Sequence, residues 1–180
     1  MKNIIVLSLL FVVAFFKAQF SVNVKAPSDF NASEAYLYKL NGSKDLIIDK
    51  AIKKNNAWDF NVKEKYEGMM KIFFPEANSS VSFVTENSNV SLSFTSKNGK
   101  VAKTDYLDDV NKILYGVQDQ QKKKEQILPA LYQIVTFYRE DSPFGKALND
   151  EINNLNSPIQ YNKSEHTFID YYVNNYSKFL

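Results

Sequence analysis

Residues 90–99 read VSLSFTSKNG, and their pattern sets the architecture of everything that precedes them. Val90, Leu92 and Phe94 recur at every second position, with serines between them. Successive side chains of a strand point to opposite faces, so the stretch has one apolar and one polar face. Asn98-Gly99 then provides the dipeptide best suited to the two positive φ angles of a tight hairpin.

The same rhythm runs back to Phe20. FSVNVKA (20–26) places Phe20, Val22 and Val24 on one face, and EAYLYKL (34–40) groups Tyr36, Tyr38 and Leu40. Asn41-Gly42 followed by DLIID (45–49) predicts a hairpin with its return strand. AWDFNV (57–62) aligns Trp58, Phe60 and Val62. GMMKIFF (68–74) is apolar on both faces, the mark of a central strand, and Pro75 stops it. With VSFVT (81–85) the series amounts to about seven or eight strands at roughly 8–12-residue spacing. That signature predicts an antiparallel β-sandwich or partly closed barrel.

Beyond Lys103 the period lengthens. Tyr106, Leu107, Val110, Ile113, Leu114 and Val117 form one helical stripe, with Thr104 or Asp105 as its cap. The polar run QDQQKKKEQ (118–126) separates it from a matching stripe, Ile127, Leu128, Leu131, Ile134, Val135 and Tyr138. Because proline suits only a first helical turn, Pro129 predicts a new helix starting near Gln126. Ser142-Pro143 predicts a third start, with Phe144, Leu148, Ile152 and Leu155 on its apolar face. Asn162 and Glu165 fit a capping box for a fourth helix carrying Phe168, Ile169, Tyr172, Val173 and Tyr176. The fold class is therefore α+β: a sandwich over 19–103, then a segment of about four helices over 104–180.

Ahead of these lies MKNIIVLSLLFVVAFFKAQF. Its apolar run, Ile4–Phe16, lies between Lys2 and Lys17 and is shorter than the roughly 18 residues that a membrane-crossing helix needs. The order of charged, apolar and small residues is that of a secretory signal peptide over 1–18, cut between Ala18 and Gln19. Periplasmic or secreted localisation follows, with no stable membrane anchor after cleavage. Without Lys2 and Lys17 the basic and acidic residues balance, which gives no electrostatic reason to bind nucleic acid.

The chain has no cysteine. That excludes a disulfide, a thiolate nucleophile and a C-x-x-C redox pair. His166 is the sole histidine and has no second histidine for a metal site. Asp108 and Asp109 suit the positive end of a helix rather than a shared substrate. Lys122–Lys124 reads as a solvated surface or linker, and Arg139, the one arginine, as the partner of a nearby carboxylate. No glycine-rich phosphate loop, G-x-S-x-G or H-E-x-x-H pattern occurs. Catalytic, cofactor and metal residues are accordingly none. Trp58, Tyr36 and Tyr38 offer a ligand- or glycan-stacking platform as an alternative, although core packing suits their alternation better.

Taken together, AYLYKLNGSKDLIIDKA (35–51), NNAWDFNV (55–62), YEGMMKIFF (66–74) and VSFVTENSNVSLSF (81–94) resemble a domain of unknown function. It forms the N-terminal part of many periplasmic thioredoxin-like (peroxiredoxin-superfamily) thiol:disulfide oxidoreductases. ILPALYQIVTFYREDSPFGKAL (127–148) resembles the segment leading toward their thioredoxin domain. The resemblance implies a non-catalytic platform for oligomerisation or partner choice. The redox pair of such proteins lies in a domain this chain does not contain, so oxidoreductase activity is not carried over. The SKFL ending at 177–180, with no helix cap, reads as a truncation. The sequence thus predicts a non-enzymatic periplasmic interaction module that associates with a protein partner or with itself. The alternative is a small-ligand or glycan-binding sandwich.

Overall fold

The computed structural model describes residues 19–41 and 44–175. The predicted signal peptide, Gly42 of the first Asn-Gly pair, Tyr176 and the SKFL ending lie outside them. The described chain is α+β, with eight strands in two four-stranded sheets and three helices. It divides into two compact units, one ending at Asn111 and the other beginning at Lys112.

The strands are β1 (Phe20–Lys25), β2 (Glu34–Asn41), β3 (Lys44–Ile52), β4 (Ala57–Val62), β5 (Glu67–Phe74), β6 (Ser79–Glu86), β7 (Val90–Lys97) and β8 (Lys100–Tyr106). One sheet has the order β4-β1-β7-β8 and the other β3-β2-β5-β6. The sheets are not closed into a barrel, and the arrangement is not wholly antiparallel: β1 pairs antiparallel with β4 but parallel with β7, Val22 opposite Val90. Period-2 alternation gives the faces of a strand but carries no information about the direction of its neighbour.

The inner faces of both sheets share one core. Val22, Val24, Trp58, Phe60 and Leu92 from the first sheet meet Leu37, Met70, Ile72 and Phe74 from the second, all fully buried. Phe30, from the loop between β1 and β2, is also sealed inside. Its ring stands edge-on to Trp58, Phe74 and Phe94, at 6.2, 5.2 and 4.8 Å between centroids. Such edge-to-face contacts align the positive rim of one ring with the negative face of another, adding to the gain from burial.

The Phe30 loop is held by polar contacts. Ser33 donates its backbone N–H and its hydroxyl to the Glu76 carboxylate in the β5–β6 turn, and Lys53 Nζ donates to Phe30 O at 2.6 Å. The Ser33 hydroxyl and N–H hold the Glu76 carboxyl below its ordinary 4.5. A carboxyl depressed by folding stabilises the protein above its unfolded pKa, and loses that effect as pH falls through the lower folded value. The melting temperature of the natural chain should therefore exceed that of Glu76→Gln at neutral pH. The gap should close as pH falls below 4.5, which thermal unfolding monitored from pH 7 to 3 would measure.

The turns use asparagine where other chains use glycine. Asn55, Asn56, Asn78, Asn87 and Asn98 all have positive φ, between 43° and 60°. Asparagine tolerates the left-handed region because its short amide bonds locally. At Asn98-Gly99 both residues are left-handed and Lys97 pairs with Lys100, the predicted two-residue hairpin. At the other Asn-Gly pair, Asn41 stands opposite Lys44 across the gap.

Three corrections concern the helices. β8 follows the second hairpin and runs to Tyr106, so the first helix starts at Asp109, later than the apolar stripe implied. That helix, α1 (Asp109–Val135), is continuous through Pro129. Apart from Asp119, the polar run read as a separator consists of strong helix formers, and it is braced at i,i+4 by Lys123–Asp119 (2.8 Å) and Gln121–Glu125 (3.2 Å). These outweigh the one amide donor that Pro129 removes. The described residues accordingly hold three helices rather than about four. α2 (Pro143–Asn156) begins as predicted, Ser142 Oγ accepting the Gly145 N–H at 3.0 Å. α3 (Thr167–Asn174) begins after the expected box, because Asn162 instead closes a turn over Ser164.

Candidate functional site

The three proposed platform residues are not brought together. Trp58 is fully buried on the inner face of β4. On β2 the core-facing residues are Ala35 and Leu37, both fully buried, so Tyr36 and Tyr38 stand on the outer face, half-buried. Alternation was legible here but its phase was not. Two small or aliphatic residues fit the gap between sheets, and the tyrosines keep their hydroxyls at the surface.

On that outer face each tyrosine is overlaid by a lysine. Lys50 Nζ lies 5.2 Å from the Tyr36 ring centroid, and Lys71 Nζ is 5.2 Å from that of Tyr38. Both cations also meet carboxylates: Lys50 pairs with Glu34 at 2.8 Å, and Lys71 with Asp45. The Lys50 hydrogen bond lowers the Glu34 pKa, and Glu34 in turn raises that of Lys50. The rings are thus partners of ammonium groups rather than bare stacking faces.

A shallow cleft of about 350 Å³ lies where β3, at the edge of one sheet, passes β4, at the edge of the other. A bulge builds it. Leu37 is opposite Asp49 but Tyr38 is opposite Ile47, leaving Ile48 as the extra residue. Asp49 therefore shares the inward face of Leu37, and its Oδ2 accepts the Asn61 N–H of β4 at 3.0 Å, while Oδ1 accepts the Lys50 N–H at 2.8 Å. Asp59 on β4 accepts from Asn23 Nδ2 at 2.6 Å. Both carboxylates serve as acceptors that tie backbone and neighbouring strands, an inward charge on an edge strand being a known guard against edge pairing.

The remaining candidates are local. Asp108 caps α1, its Oδ1 accepting the Asn111 N–H at 2.9 Å, and Asp109 occupies the first turn. Arg139 makes a bidentate pair with Asp141, at 3.0 and 2.9 Å. Lys123 pairs with Asp119, and His166 stands at the N-terminal boundary of α3. Among the described residues no group of three or more His, Cys, Asp or Glu is arranged to hold a metal ion. No helix among them is long and apolar enough to cross a membrane.

The feature that the sequence reading missed is an exposed apolar surface in the helical unit. α1 and α2 run antiparallel, joined by contacts such as Gln120 Nε2 to Leu155 O and Tyr138 against Phe144. Leu148, Ile152 and Leu155 of α2 are buried. Ile127, Ile134, Tyr138 and Phe144 nevertheless remain 41–51% exposed, and Phe137 is 84% exposed. Helical spacing marks these residues as apolar, yet it cannot say which stripe of a helix receives a neighbour. No protein-family model and no curated protein matches this chain.

Proposed function

We propose that the chain is a non-catalytic interaction module, exported to the periplasm and related to the N-terminal part of thioredoxin-like oxidoreductases. The observation that carries the reading is the uncovered apolar surface around Phe137. A cluster of large apolar side chains on one end of a helical pair is a surface on which another polypeptide gains by docking. The strand pattern, the composition of residues 1–18 and the resemblance over 35–94 support the compartment and the relationship.

Light scattering of the purified chain and affinity capture from periplasmic extract test this. Association is expected for the natural chain, and Ile134→Asp should weaken it by about thirtyfold or more, the effect of removing one well-packed interface anchor. A strictly monomeric chain that captures no protein would overturn it.

A further inference from the structure

Of the described asparagines with positive φ, Asn55, Asn56, Asn78 and Asn87 precede residues that carry a side chain, and Asn98 precedes a glycine. An asparagine carboxamide can be attacked by the backbone nitrogen of the next residue, and glycine there hinders the approach least. Asn98 and Gly99 are both exposed, and a Cβ on Gly99 would meet nothing within 4 Å among the described residues. Asn87, by contrast, has its carboxamide held at both ends, accepting from the Tyr66 N–H at 2.7 Å and donating to Glu67 at 2.7 Å.

The closed hairpin withholds this reaction. With Lys97 paired to Lys100 and φ of 55° and 72°, Asn98-Gly99 forms a type I′ turn, in which the first residue has ψ of about +30°. That angle sets Gly99 N nearly opposite the Asn98 Cβ across the Cα–C bond, so the nitrogen and Cγ cannot meet. Ring closure therefore requires the turn to open. β8 is an edge strand of mostly exposed residues, and its departure breaks pairing with β7 alone. Lys97 and Lys100, like charges directly opposite, weaken the pair nearest the turn. Two side-chain bonds tie β8 to β6: the Val101 N–H donates to Ser79 Oγ at 3.0 Å, and the Tyr106 hydroxyl donates to Ser82 O at 2.7 Å.

We propose that Asn98-Gly99 is a site of spontaneous deamidation that reacts only while the β7–β8 hairpin is open, and whose main product keeps the hairpin from closing again. The proposal goes beyond the interaction-module reading and does not depend on it. Gly99 N attacks Asn98 Cγ and forms a C–N bond. The Gly99 proton passes to Nδ2, and the Cγ–Nδ2 bond breaks to release ammonia. Water then opens the five-membered succinimide at one of its two carbonyls. One opening leaves aspartate at 98. The other leaves isoaspartate, whose backbone runs through the former side chain and is one methylene longer. Aspartate suits the turn, because Asp-Gly fits the same geometry as Asn-Gly, and its carboxylate would stand beside Lys97 and Lys100. The longer backbone cannot close a two-residue turn with Lys97 opposite Lys100. Isoaspartate is the larger product of an unconstrained succinimide, so most events release β8 for good.

Peptide mass mapping of the purified chain, held at mildly alkaline pH with and without unfolding urea, tests this. Mapping also separates Asn98 from the other Asn-Gly pair, Asn41-Gly42. In urea, Asn98 should convert to a mixture rich in isoaspartate. Without urea, conversion should be slower by about tenfold or more, since it waits on hairpin opening. Ser79→Ala/Tyr106→Phe removes both ties to β6 and should speed native conversion about tenfold, the effect of two lost hydrogen bonds. A second comparison needs no variant: on the natural chain, urea below the unfolding midpoint should raise deamidation and amide exchange at Val101 in parallel. Isolated isoaspartyl chains should exchange rapidly along β8, whereas Asn98→Asp should stay protected there. Native conversion as fast as in urea would overturn protection by the turn. Isoaspartyl chains with β8 still protected would overturn its permanent release. An Asn98 that stays unreactive in urea would overturn the site itself.

Discussion

Phe30→Ala is expected to destabilise the sheet unit by about 3–5 kcal/mol, the usual cost of removing a buried phenylalanine from a core that cannot collapse around the gap. Phe30 is 1% exposed and touches three other rings, Trp58, Phe74 and Phe94, contributed by three different strands. Two of those strands belong to one sheet and one to the other. The ring is therefore a common contact between layers, and its loss leaves a cavity walled by aromatic edges held in place by backbone pairing. Urea unfolding followed by the fluorescence of Trp58, the sole tryptophan, measures the effect. Phe30→Leu should recover part of it, as a side chain that refills much of the volume. A loss under 1 kcal/mol for Phe30→Ala would show that the loop, rather than the ring, holds the layers together.

Asn111→Ala is expected to cost about 2–4 kcal/mol, from two buried backbone groups left without partners. Asn111 is 1% exposed at the start of α1. Its Oδ1 accepts the Val84 N–H at 2.7 Å and its Nδ2 donates to Val84 O at 2.8 Å. β6 is an edge strand, so the carboxamide takes the place of the missing neighbour. The same Nδ2 lies 2.7 Å from Asp108 Oδ1, the oxygen that caps the helix. Asn111→Asp should be no better tolerated. It keeps an acceptor for the Val84 N–H, but it turns a second oxygen toward Val84 O and sets a carboxylate beside Asp108. Amide exchange at Val84 should rise in both variants, and a loss confined to α1 with Val84 still protected would refute the assignment.

The sequence disclosed the strands far better than their company. Val90, Leu92 and Phe94 alternate so cleanly that the strand and its inward face follow directly, and the structure buries all three. Its neighbours do not follow, because parallel β1 and antiparallel β8 place no different demand on the alternation of β7. β8 itself escaped notice: KVAKTDY has too few apolar residues to show a period, and its burial pattern is mostly exposed. Phe30 was missed for a different reason. A single aromatic in a loop has no period at all, and only the spacing of the two sheets shows where its ring goes. Pro129 does not break α1, because the helix-forming run from Gln120 to Gln126 carries the helix past one missing amide donor. Asn111 carried no signal, since an asparagine in a first helical turn reads as an ordinary polar residue until β6 is seen to end a sheet.

The parallel pairing of β1 with β7 also sets an order of events. Val22 has an antiparallel partner in Phe60, but its other neighbour, Val90, is synthesised much later. The sheet β4-β1-β7-β8 therefore cannot be completed until most of the sandwich sequence has emerged, and such long-range pairing is intrinsically slow. Here the delay is written into the topology: the first strand to appear waits for the seventh, and the core around Trp58 closes only after both are in place.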